Sequence, residues 1–170
     1  MTPVAITLKN LRVVASMSRE SLCYTATVVV DGQTVGTIEN EGRGGCSHLR
    51  PAERGPGRIH DLLVRATAFA LAQTWEADGV RHPYPLLEEY VDDLAARAAH
   101  RKTLERDCKR TMKTYVLVLL DGKIMKAKRV PGVGEALRAM HGERIRFLDE
   151  LPVDEAVNLY IEALSGPEPT

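Results

Sequence analysis

Residues 21–40 read SLCYTATVVVDGQTVGTIEN, two β-rich runs joined by Asp31-Gly32. Asp-Gly between such runs specifies a two-residue hairpin turn, because both turn positions require positive φ. With those residues as the turn, Val30 faces Gln33 and Val28 faces Val35. Tyr24, Ala26, Val28, Val30 and Val35 then share one face, and Thr25, Thr27 and Thr34 share the other. One face is core and the other is at least partly wet.

Upstream, Ile6, Leu8, Leu11 and Val13 give an interrupted alternation, a strand with a bulge near Lys9-Asn10. Downstream, a second Asp-Gly pair, Asp121-Gly122, joins Thr114–Leu120 to Lys123–Val130. That pairing sets Val118 opposite Met125 and Val116 opposite Ala127, with Lys126 and Lys128 on the other face of an exposed or edge strand. Between the hairpins, Arg58–Ala77 carries a helical apolar stripe (Ile59, Leu62, Leu63, Ala66, Phe69, Ala70) that Asp78-Gly79 ends. His82-Pro83-Tyr84-Pro85 reads as a stiff linker, since each proline drives the preceding residue out of helical space. A second helix over Pro85–Lys109 turns Leu87, Tyr90, Val91, Leu94 and Ala98 to one side. Pro131-Gly132 breaks the chain before a short helix at 133–140, a strand at 144–148 and a helix at 153–164. The expected fold is α+β: an antiparallel sheet built from β-hairpins packed against two longer helices, with a C-terminal β-hairpin–α–β–α segment. Residues 1–164 are expected as a single domain with possible sub-units 1–80 and 84–164, and 165–170 as a disordered tail.

The 170 residues are 44% hydrophobic and 27% charged, the balance of a globular chain, with a core resting on aliphatics because aromatics are only 5%. Its 23 basic and 23 acidic side chains cancel, so no overall field draws nucleic acid or an anionic membrane. Cys23, Cys46 and Cys108 are too few and too scattered for a disulfide framework. The opening MTPVAITLKNLRVV lacks the parts of a signal peptide, and the longest apolar run, Val116–Leu120, is far too short to cross a bilayer. The expected location is the cytoplasm, with no membrane partner.

The stretch Asn40–Gly57 holds five glycines and two prolines without apolar period, so it reads as a long loop and the first place to look for function. Arg43, Gly44 and Gly45 can bend to offer backbone N–H groups to an anion. His48, Arg50, Arg54, Arg58 and His60 crowd the same region, where a helix start adds its own free N–H groups. The spacing is neither a Walker loop nor a dinucleotide fingerprint. The competing account is a solvated loop whose arginines pair with Glu41, Glu53 and Asp61.

Other constellations are thinner. Cys46 and His48 make half a metal site at most, with no second close Cys/His pair, and no metal or other cofactor is expected. A nucleophilic Cys46 with His48 or His60 as base asks a flexible loop to hold catalytic geometry. The basic run in Arg97–Lys113 can lie along phosphates, but it lacks interleaved aromatics, and a soluble helix balancing its dipole explains it as well. Glu88-Glu89 and Asp92-Asp93 are the usual acidic bias of a helix start unless they hold a cation or a basic partner.

The stretch TATVVVDGQTVGTIENEGRGGCSH, with Asp31, Gly32, Gly36, Asn40, Gly42, Gly44, Gly45 and Cys46, resembles small uncharacterised proteins encoded by phages, prophages and plasmids. In those, a hairpin runs into a Gly-Gly-Cys loop. The resemblance covers the first third of the chain and implies a mobile-element context, without a reaction or ligand. The preferred expectation is therefore a non-enzymatic binding protein, such as a phage- or plasmid-encoded inhibitor of a host defence complex, with another protein as partner. The alternatives are a nucleotide- or phosphate-binding protein using Gly42–Gly45, and a nucleic-acid binder using the 97–113 helix.

Overall fold

The computed structural model describes residues 4–165. Strands β1 (Ile6–Val13), β2 (Cys23–Val30), β3 (Gln33–Glu41) and β4 (His48–Pro51) form an antiparallel sheet in the order β1-β2-β3-β4. The expected turn at Asp31-Gly32 forms with φ of 49° and 80°. The expected bulge in β1 falls between Lys9 and Arg12, where Asn10 takes a left-handed φ of 55°.

The register of the first hairpin differs from expectation beyond its first pairs. Val30 faces Gln33, but Val28 faces Gly36 rather than Val35, because a bulge between Val28 and Val29 leaves Val35 as the extra residue. Val35 is nonetheless fully buried with Val28 and Val30, so the bulge keeps the apolar face intact.

The long loop expected over Asn40–Gly57 is not one loop. The chain reverses through Gly42 and Gly44, at φ of 78° and 80°, and returns as β4 against β3. Gly36 permits this close approach, because a Cβ there would overlap the Arg50 carbonyl. A four-residue edge strand rich in charge and ending in proline carries little signal of its own, which hides it from pattern reading.

Helix α1 (Arg58–Leu71) buries Ile59, Leu62, Ala66 and Ala70. It stops short of the expected Ala77: Thr74–Ala77 (β5) and Val80–Pro83 (β6) instead form a third Asp-Gly hairpin, with Asp78 and Gly79 at φ of 52° and 75°. Of the proline-bearing segment read as a linker, His82 and Pro83 end the second strand of that hairpin. Trp75 stacks on His82 across it, their ring centroids 5.1 Å apart. Helix α2 (Leu87–Thr114) follows, longer than expected, and Ala95 rather than Ala98 completes its buried stripe with Leu87 and Val91.

The chain divides into two compact units, Met1–Ala99 and His100–Thr170. The division thus falls inside α2 and not at the prolines near 80–84, because Leu87, Val91 and Ala95 join the first core. In that core the apolar face of the four-stranded sheet packs with α1 and the first turns of α2. Burial of each such aliphatic side chain stabilises the fold by about 1.5–3 kcal/mol.

In the second unit, β7 (Tyr115–Leu120) lies between β8 (Lys123–Lys128) and β9 (Ile145–Phe147), all antiparallel. Val118 opposes Met125 and Val116 opposes Ala127, as the second Asp-Gly turn requires. Helices α3 (Val133–His141) and α4 (Val153–Ser165) complete it. Leu117 packs with Cys108, Leu148, Ala156 and Val157, whereas Val116 and Val118 pack with Ile145 and Phe147, giving cores on both faces of β7. The architecture is α+β with antiparallel hairpins and two longer helices. The tail expected at 165–170 lies outside the described residues apart from Ser165, the last residue of α4.

Candidate functional site

Asn40, buried in the β3 end, holds the glycine loop in place. Its Oδ1 accepts from the Gly42 N–H at 2.8 Å and the Ser21 hydroxyl at 2.9 Å, and its Nδ2 donates to the Gly45 carbonyl and the Ser47 hydroxyl. The Ser47 hydroxyl in turn donates to Asp92 on α2, which also accepts from the Tyr24 hydroxyl at 2.5 Å. The Gly44 N–H donates to Ser21 Oγ, and the Glu20 carboxylate lies against Gly44. Two of the amides an anion nest would offer are therefore engaged within the protein, beside an acidic side chain.

Arg43, Arg54, Arg58 and His60 are exposed. Arg50 pairs with Glu39. His48 and Arg50 come together at one depression, on the sheet face turned away from the core that α1 and α2 share.

That face is a grid fixed by strand register. One row across the four strands is Arg12, Thr25, Glu39, His48, and the next is Lys9, Thr27, Thr37, Arg50. All eight side chains are exposed or half-buried. A depression of about 410 Å³ is lined by seven of them, all but Lys9, and by Asn10. Asn10 reaches it because the bulge turns its carboxamide toward Thr27, Nδ2 to Oγ1 at 3.4 Å. Among the described residues no carboxylate engages Arg12 or Lys9. The threonine face was visible in the alternation of the hairpin. Arg12 and Asn10 were not, since only the bulge and the pairing of β1 bring them there.

The remaining sequence candidates resolve into structure. On α2, Asp93 takes the Tyr84 hydroxyl and the Arg97 guanidinium, each at 2.6 Å, and Asp92 is the acceptor described above, so these acids anchor the helix. Along 97–113, Lys109 pairs with Glu105 and Arg110 with Asp107, which offsets part of the basic run, and Arg101 donates to the neutral Asn158 carboxamide. Burial raises the thiol pKa of Cys108, while Cys46 is exposed. Among the described residues no three His, Cys, Asp or Glu side chains are grouped to hold a metal ion, and no helix is long and apolar enough to cross a membrane.

Comparison with family models, with curated proteins and with solved structures returned no match.

Proposed function

We propose that this chain is a non-enzymatic, cytoplasmic binding protein that presents the open face of its four-stranded sheet to another protein. One observation carries the reading: Arg12, which no carboxylate among the described residues engages, pairs across the strands with Thr25 at a depression that Thr27 also lines, while helices pack on the opposite side of the same sheet. An uncompensated guanidinium on a rigid, solvated surface attracts an acidic partner and orients it. The resemblance of the first hairpin and its glycine loop to small phage, prophage and plasmid proteins supports a role as an inhibitor that occupies a host complex. In this reading the glycine loop fixes the sheet edge, and contact falls to the grid.

The direct test is capture of a stoichiometric protein partner from host lysate by the wild-type chain and by Thr37→Glu, which alters the centre of the face without touching the core. Recovery by the first and loss by the second supports the reading. Equal recovery by both removes the sheet face as the contact surface, and recovery by neither removes the binding role.

A further inference from the structure

We infer that the bulged corner of this face, where Asn10 and Arg12 meet Thr25 and Thr27, is a carboxylate subsite that receives a Glu or Asp side chain from an acidic segment of the partner protein. The inference rests on the sheet face being the contact surface and adds what that surface recognises.

The corner is built by an unusual backbone. Asn10 holds φ at 55°, a region that side-chain-bearing residues enter at a cost. That conformation brings its exposed carboxamide within 3.4 Å of the Thr27 hydroxyl. The bulge also brings Arg12 opposite Thr25, so guanidinium, carboxamide and two hydroxyls share one edge of the depression. A guanidinium fork carries five N–H donors and no acceptor, and among the described residues none of these donors meets a carboxylate. The complementary group is a planar pair of oxygens, which a carboxylate supplies in bidentate geometry.

Charge selects among anions. The lining holds two guanidiniums, Arg12 and Arg50, against one carboxylate, Glu39, and Glu39 is already joined to Arg50. Within the lining one positive charge remains, that of Arg12, matched by a singly charged carboxylate, and Lys9 stands in the adjoining row outside the lining. A phosphate would bring a second negative charge close to Glu39. A nucleic-acid strand needs a succession of cations and aromatic platforms, and the lining contains no aromatic side chain. The width of the face fits a peptide: three strand spacings of about 4.8 Å make roughly 14 Å, the reach of about four extended residues.

The test titrates the full chain, by NMR, with three probes: blocked tetraglutamate, blocked tetraglutamine and inorganic phosphate. Tetraglutamate is expected to shift the Arg12 Nε–H and Asn10 Nδ2 signals saturably, and tetraglutamine to leave them unmoved. Arg12→Ala should weaken tetraglutamate binding by about 10- to 100-fold, the loss that accompanies a charge-assisted pair. Asn10→Gly keeps the left-handed backbone and removes the carboxamide, so it reads the same subsite if Arg12→Ala does not fold, and it too should weaken binding. No saturable shift, an equal response to tetraglutamine, or tighter binding of phosphate overturns the inference. Silence toward tetraglutamate with partner capture still lost in Thr37→Glu leaves the contact surface standing and removes only the carboxylate subsite.

Discussion

The Asp92 carboxylate on α2 accepts the Tyr24 hydroxyl of β2 at 2.5 Å, and the same oxygen accepts from Ser47 at the end of the glycine loop. One helix side chain thereby fixes a core strand and the loop that launches β4. Removing it leaves two donors inside a tight structure, where an unmet hydrogen bond costs about 1–3 kcal/mol. Asp92→Ala should lower the denaturation midpoint accordingly. Asp92→Asn, which keeps an acceptor oxygen, should cost less; equal midpoints for wild type and Asp92→Ala would contradict the anchoring role.

Alkali should act through the same network. Burial, and then hydrogen bonding to Asp92, pushes the Tyr24 pKa well above the ordinary tyrosine value, and burial with Asp93 does the same for Tyr84. Groups whose folded pKa is raised stabilise the fold fully below the unfolded pKa, and that contribution declines as pH climbs past about 10. Stability should therefore fall from that point upward, less steeply in Tyr24→Phe. Denaturation midpoints measured across alkaline pH check this, and a profile unchanged by the substitution would refute it.

A sheet of four strands depends on a single missing side chain. Gly36→Ala places a Cβ on the Arg50 carbonyl, and overpacking of this kind costs about 1–3 kcal/mol. The loss should concentrate at β4, so amide exchange at 48–50 should accelerate more than exchange at β2. Uniform acceleration, or none, would show that β4 is not held by this approach.

Much of this arrangement was legible before any coordinates. Asp31-Gly32 and Asp121-Gly122 fix their turns by conformation alone, and the valine-threonine alternation ahead of Asp31 assigns the faces of β2. What escaped the sequence has physical causes. The Asp78-Gly79 hairpin follows a helical stripe without a break in hydrophobicity, so Thr74–Ala77 reads as the end of α1. β4 is short, charged and closed by Pro51. Glycine and arginine near each other suggest an anion loop, whereas Asn40 and Ser21 engage the Gly42 and Gly44 amides, a tertiary fact. Arg12 joins the face through a bulge, and the register beyond it is set by pairing with Thr25.

Thiol chemistry separates the three cysteines. Cys46 is exposed, whereas Cys23 and Cys108 are buried. A thiol reagent should modify one site rapidly in the native chain, and Cys46→Ser should abolish that phase without changing partner capture. Mass mapping of the labelled residue decides it, and fast labelling at Cys23 would contradict the packing of β2.

The central claim is that contact falls on the grid of Arg12, Thr25, Thr27 and Thr37 and not on the glycine loop. It is tested most directly by measuring affinity for the captured partner in two variants, Thr37→Glu on the face and Arg43→Glu on the loop. The account predicts about a tenfold or greater weakening in Thr37→Glu and affinity near wild type in Arg43→Glu. The opposite order, with the loop variant impaired and the face variant unaffected, would contradict it.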